Sequence, residues 1–154
     1  MRIGEDERVI RSPFAPAGVG AVYVDGSALV QYLPDGPFRA PWLAWADGRR
    51  LVTSQVALTE LRAVASARGP AAREVADEVE AGLEVVRFSD KALQVASHVS
   101  TALSSFVALH IGTAVAHPDV EIVATYHLDL ARVAALYRLA VVSPGRPGRW
   151  WESE

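Results

Sequence analysis

The chain has 154 residues, 51% of them hydrophobic and 21% charged, the profile of one soluble globular domain with a single sizeable core. It contains no cysteine, which excludes disulfides and thiolate-held metals and suits a reducing cytoplasm. A net charge of −3 argues against a wide basic surface for duplex nucleic acid.

A local basic rim is still compatible with that balance. Lys91 is the one lysine, so arginine supplies the other 14 of the 15 basic residues, and arginine pairs well with phosphate. Met1 to Arg11 is charged throughout and lacks the apolar core of a secretory signal. Ala92 to Pro118 carries no Asp, Glu, Lys or Arg and is long enough to span a bilayer. Its Ser97, His98, Ser100, Thr101, Ser104, Ser105, His110 and Thr113 favour two buried helices over a membrane span.

Residues 1–20 read as a flexible N-terminal arm, charged first and then rich in Pro and Gly. The domain proper is expected over 21–145. Val22-Tyr23-Val24 is a short run of β-formers that stops on a charge, Asp25. Gly26 permits a tight turn, and Ser27 is a suitable N-cap for a helix to Leu33. Asp25 at the end of a strand is a candidate ligand, since open α/β sheets bind at the carboxyl ends of their strands. It is equally a candidate turn cap.

Pro34-Asp35-Gly36-Pro37 breaks the chain before a short helix with Trp42 and Trp45, expected in the core or at a dimer contact. A strand at 51–54 leads through Ser54 into a helix at 55–67 with Val56, Leu61 and Val64 inward. Glu60 falls inside that arc, where a carboxylate is costly unless paired or metal-bound. It either pairs with Arg62 or another arginine, or belongs to a site.

A helix at 71–81 follows, with Val75 and Val79 inward, then an alternating strand at 83–88 and helices at 90–100 and 101–116. The last has Leu103, Phe106, Val107, His110 and Ala114 inward, with His110 read as a satisfied core histidine. The strand at 121–126 ends at His127, Asp129 opens a helix to about Leu139, and a strand at 140–143 closes the domain. Residues 146–154 form a tail whose Trp150 and Trp151 are expected to dock on the protein's own surface or on a partner.

Alternating strands and helices imply a mostly parallel sheet covered on both faces, an α/β/α sandwich of three layers. Three polar positions fall at or just beyond strand ends: Asp25, Glu60, and His127 with Asp129. A single site built from distant segments is the economical explanation.

Four segments carry a family resemblance. Val22-Tyr23-Val24-Asp25-Gly26-Ser27-Ala28-Leu29 is similar to the opening strand of PIN domains, and of the VapC-type toxins among them. Thr53-Ser54-Gln55-Val56-Ala57-Leu58-Thr59-Glu60-Leu61 resembles the second motif, which ends on Glu. Phe106-Val107-Ala108-Leu109-His110-Ile111-Gly112-Thr113-Ala114 resembles the family's Asp-Ala-Leu-His-Leu-Ala-Thr-Ala helix. Val123-Ala124-Thr125-Tyr126-His127 with Ala140-Val141-Val142-Ser143-Pro144-Gly145 resembles the Thr-Tyr-Asp strand and the closing strand.

The resemblance implies a PIN-like fold and an endoribonuclease that gathers about four carboxylates around Mg²⁺ or Mn²⁺. Such an ion needs hard oxygen ligands and activates a water against the phosphodiester. Asp25 matches the first acid and Glu60 the second. Val107 stands at the third acidic position and His127 at the fourth, with Asp129 two residues on as a substitute. Asp25, Glu60 and Asp129 are thus the candidate catalytic residues, and the same three with His127 the candidate metal ligands. His127 suits Mn²⁺ or Zn²⁺ better than Mg²⁺.

Two functions follow: a VapC-like, metal-dependent endoribonuclease toxin with a degenerate acidic site, or an inactive PIN domain that binds RNA or a protein. The implied partners are RNA, a small antitoxin and a second copy of the chain in a homodimer, with no membrane. A phosphoacceptor domain using Asp25 would need neighbouring acids and a late lysine, and Lys91 is wrongly placed for that.

Overall fold

The computed structural model describes residues 20–154; all of the expected N-terminal arm except Gly20 lies outside the described residues. Among the described residues are five strands: β1 (Ala21–Val24), β2 (Leu51–Ser54), β3 (Glu84–Val86), β4 (Val120–Ala124) and β5 (Ala140–Val142). The helices are α1 (Gly26–Leu29), α2 (Arg39–Ala46), α3 (Gln55–Arg68), α4 (Pro70–Gly82), α5 (Asp90–Val99), α6 (Ser105–Ala116) and α7 (Leu128–Leu136). Short 3₁₀ turns at Val30–Tyr32 and Trp150–Glu152 complete the elements.

The sheet order is β3-β2-β1-β4-β5, and every pairing is parallel. The expected mostly parallel sheet is parallel throughout. Parallel sheets are covered on both faces, so their central strands are apolar on both sides. All four residues of β1 are buried, and successive side chains point opposite ways. Val22 and Val24 join a core with Leu29, Leu33, Trp42, Leu58 and Leu61. Tyr23 joins a second core with Val52, Val107, Ile111, Val123 and Leu130. The sheet thus separates α1–α4 from α6 and α7.

This strand order decides where a site can form. From β1 the chain moves outward through β2 and β3, then returns to β4 on the other side of β1. Such a reversal leaves a crevice at the carboxyl ends of the two central strands. The register aligns Val24 with Ala124, which sets Asp25 beside Thr125.

Several local expectations change. Asp25, not Ser27, is the N-cap of α1: its side chain accepts from the Ala28 amide. The helix is only Gly26–Leu29, continued as a 3₁₀ turn. In α3 the deepest residues are Ala57, Leu58, Leu61 and Ala65, while Val56 and Val64 are half-buried. In α4, Ala72 and Ala76 lie deeper than Val75 and Val79. In both helices alanines take the most buried positions and the valines sit at the flanks of the packed face. The helix expected from 101 begins at Ser105, capped by Ser104. Phe106, expected inward, is 60% exposed. Trp42 is fully buried, as a core tryptophan should be. Among the described residues no helix is long and apolar enough to cross a membrane.

Candidate active site at the strand ends

Asp25 follows β1 directly and is only 3% exposed. Its carboxylate is hydrogen-bonded on both oxygens. Ser27 Oγ lies 2.8 and 2.9 Å from Oδ1 and Oδ2. The Ala28 amide donates to Oδ1 at 2.9 Å, and Thr125 Oγ1 donates to Oδ2 at 2.6 Å. The cap reading and the site reading are both realised: one oxygen caps α1 while the group faces the crevice. Burial pushes the Asp25 pKa above the ordinary carboxylate range, against the pull of His110 and of the three donors. Tyr126, whose amide donates to Ser27 Oγ at 2.7 Å, has its phenol pKa raised by burial and by the nearby Asp25 charge.

Glu60 sits in the second turn of α3 and reaches back across Gly26. A Cβ on Gly26 would lie 2.2 Å from Glu60 Oε1 and 2.6 Å from Glu60 Cβ. Glycine is needed there because the Glu60 side chain lies over the residue that follows Asp25. Glu60 is not paired with Arg62, which binds Glu80 instead. Its partner is His110, with Nε2 2.9 Å from Oε1.

His110 is buried, as expected of a core histidine, but it reaches into the site. Its Nδ1 lies 2.7 Å from Tyr23 Oη, and Tyr23 Oη lies 2.8 Å from Ser54 Oγ. Ser54 Oγ also accepts from the Ala57 amide, so its own proton is free for Tyr23. Burial raises the Tyr23 pKa far above that of a free phenol, so Tyr23 stays a protonated hydroxyl between Ser54 Oγ and His110 Nδ1. On the other side of the ring, Nε2 meets Glu60 Oε1. Ser54 caps α3, which carries Glu60, so the relay is a closed loop that orients one carboxylate.

Asp25, Glu60, Val107, His110, His127 and Leu130 line one cavity of about 140 Å³, with Phe106, Ser27 and Ser104 at its walls. The positions resembling the four acids of the family therefore face the same space. Val107 is 4% exposed and apolar. His127 is exposed at the rim, just before α7. Asp129 is exposed in the first turn of α7 and is not among the residues lining the cavity. Sequence reasoning missed the roles of Tyr23, Ser27 and Thr125. It also missed that His110 holds Glu60, although His110 lies three residues after Val107 and so on the same helical face.

The family model for the PIN domain matches residues 22–136. The chain belongs to the PIN domain family. No curated protein matches it. A chain of the solved VapBC2 complex from Rickettsia felis, bound to a DNA fragment from its promoter, shares the fold. The two are 16% identical with a TM-score of 0.58, over 79% of this chain and 97% of that one.

PIN domains are generally divalent-metal-dependent nucleases, which puts the donor set of this PIN domain to the test. Mg²⁺ requires near-octahedral oxygen coordination from carboxylates and water. Here the cavity offers Asp25, whose two oxygens already accept four contacts, and Glu60, one of whose oxygens is held by His110. Val107 contributes no donor. Among the described residues no three His, Asp or Glu side chains converge as a metal site. The residues present do not fit the family's ion.

Proposed function

We propose that this protein is a VapC-like PIN module, the toxin-type member of a toxin–antitoxin pair, in which the acidic pocket binds but no longer cuts. The observation that carries the reading is the composition of one cavity. Asp25 and Glu60 remain, while Val107 and His127 occupy the other two acidic positions. Two carboxylates already committed to hydrogen bonds make a poor Mg²⁺ or Mn²⁺ site, so the step in which an ion would activate water lacks its support.

The partner in this reading is a small antitoxin-type protein. Support comes from the fold shared with a VapBC2 chain and from the exposed Phe106 beside the cavity, an apolar contact on an otherwise polar rim. RNA binding without cleavage, and a homodimer, fit the same pocket and fold. One feature favours a second reading, residual endoribonuclease activity: Asp25 and Glu60 still face the same space, with His127 at its rim.

Cleavage of single-stranded RNA in Mg²⁺ and in Mn²⁺, with parent and Asp25→Asn proteins side by side, separates the two. The expected result is no metal-dependent cleavage by either protein. Cleavage that needs the ion and disappears in Asp25→Asn would overturn the binding-module reading and establish the nuclease.

A further inference from the structure

The C-terminal strap, residues 146–154, lies beyond the family match, which ends at residue 136. It is nonetheless wired to the pocket. Trp150 is 6% exposed, and its indole N–H donates to Ser143 Oγ at 2.8 Å. Indole has a donor and no acceptor, so the polarity of the next link follows. Ser143 must accept from Trp150, and its own proton goes to the Thr125 carbonyl.

Thr125 is the residue that grips Asp25. Its hydroxyl donates to Asp25 Oδ2 at 2.6 Å and accepts from the His127 amide at 3.0 Å. Two side chains, Trp150 and Ser143, therefore connect the strap to the Thr125 backbone, and the Thr125 hydroxyl carries the contact on to Asp25 and to the His127 amide. The other end of the strap is anchored separately. Arg132 on α7 donates to the carbonyls of Trp151 and Glu154 at 3.1 and 2.7 Å. The Arg146 guanidinium lies 4.1 Å over the Trp150 ring, a cation–π contact. The strap thus fastens β5 and α7 on either side of residues 125–127.

From this connection we infer that Trp150 is a positioning residue for the pocket: its indole N–H, through Ser143, fixes the backbone carbonyl of Thr125 and so the residue whose hydroxyl orients Asp25. The inference is independent of whether the pocket binds RNA, a protein or a metal. It also distinguishes Trp150 from a tryptophan that only fills space, because the ring and the N–H can be separated by substitution.

Trp150→Phe keeps an aromatic ring and removes the donor, and Ser143→Ala removes the middle link. The readout is the amide resonances of Ala28, Tyr126 and His127, which bond directly to Asp25, Ser27 and Thr125. In both variants these three amides should shift, and the His127 amide should exchange with solvent about tenfold faster. The double variant should move them no further than Ser143→Ala alone, since the two residues act in one series. Changes confined to residues 140–154, with Ala28 and His127 unmoved, would overturn the inference. So would additive shifts in the double variant. If Trp150→Phe fails to fold, the Ser143→Ala spectrum decides by the same criterion.

Discussion

Replacing Val107 with aspartate tests the geometry of the pocket most directly. Val107 lines the cavity with Asp25, Glu60 and His127 and is only 4% exposed. Aspartate is close to valine in size, so the change alters charge more than packing. Without metal it adds a buried carboxylate to two others, a cost of about 3 kcal/mol. For a domain of this size that lowers Tm by about 6–12 °C. With metal the sign reverses. If three carboxylates bind Mn²⁺ with a Kd of about 0.1 mM, about 10 mM MnCl₂ stabilises the fold by about 2.7 kcal/mol. Tm should then rise by about 5–10 °C relative to chelator, while the parent shows no comparable rise. Thermal melts of both proteins in MnCl₂, MgCl₂ and EDTA measure it, with far-UV circular dichroism to confirm folding. A folded Val107→Asp protein that melts identically in Mn²⁺ and EDTA would refute the placement of residue 107 beside the two acids.

Gly26→Ala should expel Glu60 from its present position, because the new Cβ would meet Glu60 Oε1 at 2.2 Å and its Cβ at 2.6 Å. The expected cost is about 1–3 kcal/mol in urea unfolding, with a changed His110 imidazole resonance; an unchanged resonance would show that Glu60 is not confined there. Tyr23→Phe leaves His110 Nδ1 without its buried hydrogen-bond partner and should destabilise by about 1–3 kcal/mol, and a stability equal to the parent would show that the relay contributes nothing. The raised pKa of Asp25 makes the native state bind its proton more tightly than the unfolded chain does. Its contribution to stability is therefore full below the unfolded value of 3.8 and is lost as pH rises through the higher folded value. Asp25→Asn should remove that decline, so the parent loses stability relative to the variant between acid and neutral pH. Parallel unfolding curves across that range would contradict it.

Much of the architecture was legible because its signals are local. The apolar runs at 21–24 and 51–54 and the cap at Ser54 are read from neighbours a few residues apart. The alternation of strands with helices then implied a parallel sheet. The misplaced details depend on distant neighbours. Ala57 and Ala76 lie deeper than the adjacent Val56 and Val75, whereas periodicity alone ranks valine as more buried. Phe106 is exposed in the first turn of a helix that begins at Ser105, four residues later than the pattern suggested.

The site divides in the same way. Asp25 and Glu60 stood out because each is a charge at the edge of an apolar pattern, and Val107 and His127 because the flanking motifs resembled a family with acids at those positions. Tyr23, Ser27, His110 and Thr125 carry no such mark, since a tyrosine in a strand or a histidine on an apolar helix face has an ordinary explanation within its own segment.

By itself the sequence determined which segments become strands and helices, and which residue types are available for chemistry at their ends. Only the tertiary structure decided that β1 lies between β2 and β4, so that residues 25 and 125 share a hydrogen bond across a hundred positions of chain. It also decided that His110 faces Glu60 and that Trp150 reaches Thr125 through Ser143. Side-chain periodicity is set by the backbone within a few residues, whereas a hydrogen bond between distant segments exists only once the sheet order and helix packing have brought its two atoms to within about 3 Å.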